Sequence, residues 1–167
     1  LINAFNKIEN VLKNVKLLLV GGYETELDPL NEDTLSIIKT NTNISNTGWV
    51  NDVRPYFSIS NVLAFPSYRE GFPNVVMQAG AMGLPSIVTN INGCNEIVSH
   101  EKNGFLFPTQ DSNSILFAMQ RVFEDASLRK NMSDWSKANI PQKYDRNVFH
   151  EKLLAEYISM HRSKLRY

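Results

Sequence analysis

Glu70, Gly71, Pro73, Asn74 and Gln78 stand close together, and their types suit the holding of an anion beside hydroxyl groups. Gly71 lets the backbone approach a ligand, because no side chain intervenes. Pro73 fits the opening turn of a helix, where its missing N–H would have had no intrahelical partner. The helix start that follows offers free N–H groups and a partial positive charge, a natural seat for phosphate. Asn74 and Gln78 are four residues apart, hence on one helix face, and helical side chains lean back toward the amino end. Gln78 therefore reaches toward anything seated at the helix start. Glu70 cannot favour a phosphate by charge, so its chemistry is to accept hydrogen bonds from hydroxyls. A phosphate cradle beside hydroxyl acceptors describes a nucleotide-sugar. The same pattern also fits an ordinary strand–loop–helix turn, and the residues alone leave both readings open.

The elements around this loop are legible. Val62 to Phe65 is a short apolar run, broken by Pro66-Ser67. After the loop, Val75, Val76, Ala79 and Met82 fall on one helical face and are expected to pack on a sheet. Gly83 should end that helix and Pro85 prevent its restart.

The rest of the chain alternates in type. Residues 2–13 carry Ile2, Phe5, Ile8, Val11 and Leu12 at helical spacing, and Val15 to Val20 is an apolar run suited to a strand covered on both faces. A helix is predicted near 31–40 and a short strand at 44–47. Asp52 is read as the N-cap of a helix through Ser58, with Val53, Tyr56 and Phe57 inward. Ser86 to Val88 reads as a strand, Gly93 to Val98 as a helical turn and Gly104 to Phe107 as a strand. Asp111 caps a helix with the stripe Ile115, Leu116, Met119, Val122 and Phe123. Helices over 126–138 and 145–162 close the chain. Strands alternating with helices predict an α/β fold with a doubly wound parallel sheet. In such sheets ligands bind beyond the carboxyl ends of the strands, where Gly21, Gly48, Glu70 and Gly93 all fall.

Composition narrows the class further. The chain has 167 residues, enough for one domain with a real core. Lys plus Arg and Asp plus Glu balance at 17 each, so no electrostatic case exists for nucleic acid. The single cysteine, Cys94, excludes a disulfide framework, suits a reducing compartment and reads as a small packed residue. His100, His150 and His161 lack metal-ligand spacing. No apolar run approaches the roughly 20 residues of a membrane span, and no signal peptide is evident. The chain starts at Leu1 already in a helical pattern and reads as a piece of something longer.

The stretch Pro66-Ser67-Tyr68-Arg69-Glu70-Gly71-Phe72-Pro73-Asn74-Val75 and its continuation to Pro85 resembles the donor-site signature of retaining glycosyltransferase family four, the glycosyl transferases group 1. Further landmarks follow in the family's order. They are Leu17-Leu18-Leu19-Val20-Gly21-Gly22, then Gly48-Trp49-Val50 with Asp52, Val53 and Tyr56, then Asn92-Gly93-Cys94-Asn95-Glu96 and Asn103-Gly104-Phe105-Leu106-Phe107-Pro108. Gly22 to Pro29 and Ile91 to Glu96 resemble capsular-polysaccharide members most.

That resemblance implies a Rossmann-like sheet forming the C-terminal half of a GT-B fold. Residues 1–167 would be its nucleotide-sugar-binding domain, lacking the domain's first strand and the N-terminal acceptor-binding domain. The implied reaction moves a sugar from a nucleotide diphosphate, with UDP preferred, to an acceptor hydroxyl with retained configuration, in surface polysaccharide assembly. Glu70 would be the catalytic-site acid, holding the donor sugar's hydroxyls. Gly71, Phe72, Pro73, Asn74 and Val75 would bind sugar and phosphates, largely through backbone N–H groups. Gln78 would face the ribose, Val50 the base, and Gly21 would close the strand end beside them. No metal or other cofactor is implied; the donor is a substrate. Glu96 stands at a position that either borders the site or caps a short helix.

Two departures from the family pattern stand out. Gln78 replaces the second acid of the signature, and the family's diphosphate-clamping Arg and Lys are not in this sequence. The fragment is therefore expected to bind donor weakly and not to turn over by itself. A non-catalytic nucleotide-sugar-binding scaffold and a GT-B-fold epimerase of UDP-sugars are the competing readings. The expected location is cytoplasmic, with peripheral contact at the inner membrane face through Arg162, Lys164 and Arg166 as a weaker expectation.

Overall fold

Alternate residues of one central strand face opposite layers of helices, and that alternation sets the architecture. Ile87 belongs to the larger apolar cluster and its neighbour Val88 to a second one, both fully buried. The computed structural model describes residues 1–23, 26 and 29–164, apart from the side chains of 163 and 164. Five short strands run parallel: β1 (Leu17–Leu19), β2 (Ile44–Asn46), β3 (Leu63–Phe65), β4 (Ser86–Thr89) and β5 (Gly104–Phe107). Among the described residues, eight helices cover them: α1 (Ile2–Ile8), α2 (Glu32–Thr40), α3 (Arg54–Ile59), α4 (Asn74–Ala81), α5 (Cys94–Ile97), α6 (Ser112–Glu124), α7 (Ala126–Lys143) and α8 (Arg146–Lys164).

The first layer packs α1 against α6, with Phe5, Ile8, Met119 and Val122 over Ile87, Phe105 and Phe107. The opposite layer packs α4 against α7, with Val76, Cys94, Ile97 and Ile140 over Val88. Helices on both faces of parallel strands make this the expected doubly wound α/β fold. The sheet, however, comes in two pieces. β1 pairs only with β2, while β3, β4 and β5 form a separate three-stranded sheet. Between them lies a cavity of about 910 Å³, walled by Leu17–Leu19 on one side and Leu63–Phe65 on the other. Every residue of β1 and β3 is only partly buried, whereas all of β4 is buried. The two strands lack a strand neighbour on the sides that face the cavity.

Several boundaries differ from the sequence reading. α1 stops at Ile8 instead of continuing to residue 13, and Val11 is exposed. Asp52 is not the cap of α3. Its carboxylate accepts from the backbone N–H of Arg54 and pairs with that guanidinium at 2.8 Å, so Val53 takes the cap position. Met82 does not join the buried face of α4, because the helix has ended at Ala81 and Met82 caps it from outside. The turn-out is completed by Gly83 at φ +83°. α7 runs past residue 138 to Lys143 with Pro141 inside it. Pro141 has no N–H to give to the Lys137 carbonyl, and the helix ends two residues beyond it. The caps by Asn31, Asp111 and Asp125 each accept backbone N–H bonds from the following turn.

Glu24, Leu27 and Asp28 of the capsular-type stretch, and Arg166 with the side chain of Lys164, lie outside the described residues. Among the described residues, no helix is long and apolar enough to cross a membrane.

Candidate functional site

The carboxyl ends of the strands carry the loops that matter. β3 ends at Phe65 and leads through Glu70 and Gly71 into α4, whose cap position is Pro73. Unlike Asn31, Asp111 and Asp125, Pro73 has no side-chain acceptor to bond the N–H groups of the first turn. Val76 and Met77 bond the Pro73 carbonyl, leaving the Asn74 and Val75 N–H groups at an open helix start. Pro73 itself is buried and anchors the turn, while Gly71 and Asn74 are exposed. Gln78 is exposed on the same side of α4 as Asn74, opposite the buried Val76, Ala79 and Gly80.

Glu70 is partly buried and accepts the Ser67 hydroxyl on Oε1 at 2.7 Å. That bond fixes the carboxylate's direction and leaves Oε2 for a ligand hydroxyl. Sequence reasoning did not assign Ser67 a role. Its signal was the three-residue spacing within a Pro-Ser loop, which lets a short hydroxyl fold back on a later side chain.

A second loop closes on the first. β4 leads to Gly93, at φ +78°, which opens α5. A Cβ on Gly93 would meet the Gly71 carbonyl oxygen at 2.4 Å and Pro73 Cδ at 2.8 Å. The Gly93 N–H donates to Glu96 Oε1 at 3.3 Å, so Glu96 caps its own short helix. Cys94 is fully buried beneath this junction. Burial pushes its thiol up to about 11, and the nearby Glu70 carboxylate adds to the shift. Cys94 is a packed residue, as expected.

At the other piece of the sheet, Gly21 donates its N–H to the Gly48 carbonyl at 3.1 Å, joining the loops after β1 and β2. Both glycines have positive φ. Val50 follows two residues later and is partly buried in this loop cluster. Gly21 and Val75 line the same large cavity, which carries the first loop cluster toward the second. The structure thus sets Gly71 and Pro73 directly against Gly93, with Glu70 held by Ser67 just before them, and sets Gly21 with Gly48 and Val50 as a separate group.

A model of the glycosyl transferases group 1 family matches residues 1–125. The chain belongs to that family. Among relatives of this group 1 chain, the Staphylococcus aureus capsular polysaccharide biosynthesis glycosyltransferase CapM is 31% identical over 157 residues, covering 94% of this chain and 41% of CapM. An Escherichia coli UDP-Gal:alpha-D-GlcNAc-diphosphoundecaprenol alpha-1,3-galactosyltransferase is 42% identical over 81 residues, 48% of this chain and 21% of that protein. Anabaena HepE, solved in complex with UDP-glucose, superposes with a TM-score of 0.81 at 23% identity, covering 96% of this chain and 44% of HepE. The group 1 chain thus spans under half the length of these relatives, and the HepE likeness establishes the shared GT-B architecture.

Two further residues of the group 1 chain escaped sequence reasoning. Tyr144 sets its ring edge-on to Phe72, with centroids 5.4 Å apart, and its hydroxyl donates to the Glu96 carbonyl at 2.7 Å. Lys143 Nζ donates to the same carbonyl at 2.7 Å. Both come from the end of α7, seventy or so residues from the loop, and nothing local in the sequence announces them.

Proposed function

We propose that this chain is the donor-binding C-terminal half of a retaining GT-B glycosyltransferase that moves a sugar from a UDP-sugar to an acceptor in surface polysaccharide synthesis. The observation that carries the reading is the junction at α4. An oriented carboxylate with one free oxygen stands beside an uncapped helix start, and Gly93 presses a second loop against it.

The chemistry divides among these parts. Glu70 accepts hydrogen bonds from the donor sugar's hydroxyls. The open N–H groups at Gly71, Phe72, Asn74 and Val75 stabilise the diphosphate as negative charge gathers on it during departure. Gln78 meets the ribose and Val50 the base, with Gly21 beside it. No metal is needed in this scheme, because backbone dipoles and the basic residues of the longer polypeptide share the charge. The departing phosphate takes the acceptor's proton, so no side-chain base is assigned. UDP is supported by the UDP-Gal donor of the Escherichia coli relative and by the UDP-glucose held in HepE. The capsular role is supported by the likeness to CapM. The working location is the cytoplasmic side of the membrane, where a lipid-linked acceptor of the kind named for the Escherichia coli relative would be met.

The proposal extends to the slot between the two sheets. A parallel strand feeding α1 by a right-handed crossover would lie beside β1, in the cavity that separates them. A polypeptide extended before Leu1 should therefore gain amide protection along Leu17–Leu19 and Leu63–Phe65. Unchanged exchange there would remove the strand from the slot.

Thermal denaturation with millimolar UDP, GDP, ADP and CMP, followed by UDP-sugars, tests the function. A ligand at tenfold its dissociation constant stabilises by about 1.4 kcal/mol. A shift selective for UDP, enlarged by one UDP-sugar, is expected. Equal shifts with all four nucleotides, or none in the extended polypeptide, would sink the reading.

A further inference from the structure

Tyr144 touches both loops of the candidate site although it lies on neither. Its ring meets Phe72 edge-on, an arrangement in which ring quadrupoles attract. Its hydroxyl donates to the Glu96 carbonyl, and Glu96 in turn holds the Gly93 N–H through its carboxylate. Gly93 leans on the Gly71 carbonyl and Pro73. The contacts therefore form a closed circuit: Tyr144 to Phe72, back through Gly71 and Gly93, then through Glu96 to Tyr144. Lys143 doubles one link by donating to the same carbonyl, and its ammonium sits 5.1 Å from the centre of the Tyr144 ring.

Phe72 gains support from this contact. It is 40% exposed and lies between Gly71 and Pro73, and the Tyr144 ring it meets packs against the buried cluster around Val76 and Ile140. A glycine-flanked exposed loop samples many conformations unless something holds it. Tyr144 is anchored at its base, because α7 is seated by Met132, Ser136 and Ile140. The end of one well-packed helix thus fixes the distance between two loops that would otherwise move independently.

We propose that Tyr144 is a positioning residue of the donor site, which sets the Phe72 loop against the Gly93 loop so that both meet the sugar end of the donor. This rests on the donor-site reading above. It goes beyond it by giving a specific task to a residue outside the signature.

The test compares Tyr144→Phe and Tyr144→Leu with Val122→Ala, a core change in the opposite layer, in the extended polypeptide. Three quantities are read: UDP-sugar affinity, UDP affinity, and the order parameters of the Gly71, Phe72 and Gly93 amides without ligand. Tyr144→Leu should weaken UDP-sugar binding about tenfold, lower UDP affinity less, and loosen all three amides. Tyr144→Phe keeps the ring contact and should recover most of the affinity. Val122→Ala should lower the melting temperature while leaving the affinity ratio and the amides unchanged. Equal weakening of UDP and UDP-sugar in both Tyr144→Leu and Val122→Ala would overturn the proposal, since that is general destabilisation. Unchanged amides in Tyr144→Leu would overturn it too. If the amides loosen but no variant, wild type included, binds a UDP-sugar, the tether stands and the donor-site reading falls.

Discussion

Gly93 and Gly71 are packed so closely that no side chain fits between them: a Cβ on Gly93 would stand 2.4 Å from the Gly71 carbonyl oxygen. Because Gly93 also holds φ +78° and ψ −50°, alanine there faces both a steric clash with backbone and a strained backbone conformation costing about 1–3 kcal/mol. Gly93→Ala should push the two loops apart and erase the UDP-sugar-dependent melting shift, with a modest loss in melting temperature. Gly104→Ala makes the contrast. Its Cβ would clash with Ser86 backbone inside the β4–β5 pairing, so expression and melting temperature should collapse first.

Glu70 can be separated from the nucleotide. Glu70→Gln keeps the shape but loses the charge that strengthens hydrogen bonds to hydroxyls, each worth about 1.5–3 kcal/mol. In the extended polypeptide, transfer efficiency should drop on the order of 10²-fold while the dissociation constant for UDP alone stays within about twofold. A parallel loss of UDP affinity would move Glu70 from the sugar to the phosphates.

Gln78→Glu restores the acid that the family signature carries. A carboxylate accepts from both ribose hydroxyls, whereas the amide offers one acceptor and one donor. The gain should be about 1 kcal/mol, close to fivefold in UDP affinity by calorimetry. An unchanged affinity would take position 78 out of the ribose contact.

The buried thiol gives a pH prediction. Cys94 moves from its ordinary value near 9 to about 11 on folding, chiefly through burial. A raised folded value means that the unfolded chain releases its proton first as pH climbs. Below pH 9 the group costs nothing; between 9 and 11 stability declines. The urea midpoint should fall over that range, and Cys94→Ala should flatten this part of the profile. Glu70→Gln, by removing the second cause, should lower the thiol value and speed alkylation at pH 9.

Much of this was legible because it is local. Asp111 caps the helix after it through bonds spanning two and three residues. The turn at Gly83 follows from chain geometry alone. Asp52 shows where local rules compete: an adjacent arginine captured the carboxylate that would have capped α3. Met82 shows the limit of periodicity, which continues past a helix that has already stopped. The contacts that join the site were invisible for another reason. Gly93 on Gly71 and Tyr144 against Phe72 arise only when distant segments are stacked by the sheet. The break in the sheet does not show in Val15 to Val20, an apolar run suited to a strand covered on both faces.

That break divides the footprint of any ligand. Gly21, Gly48 and Val50 ride on the two-stranded piece, while Glu70 and Gly93 ride on the three-stranded one. The pieces are joined by helix packing and by the passage through α3, without strand pairing between them. A strand seated in the cavity between them would lock that spacing. A nucleotide-sugar reaching both would act as a crossbar, with its base end on one raft and its sugar end on the other. Changes on the Gly21 side would then alter which base is accepted, and changes on the Glu70 side would alter which sugar.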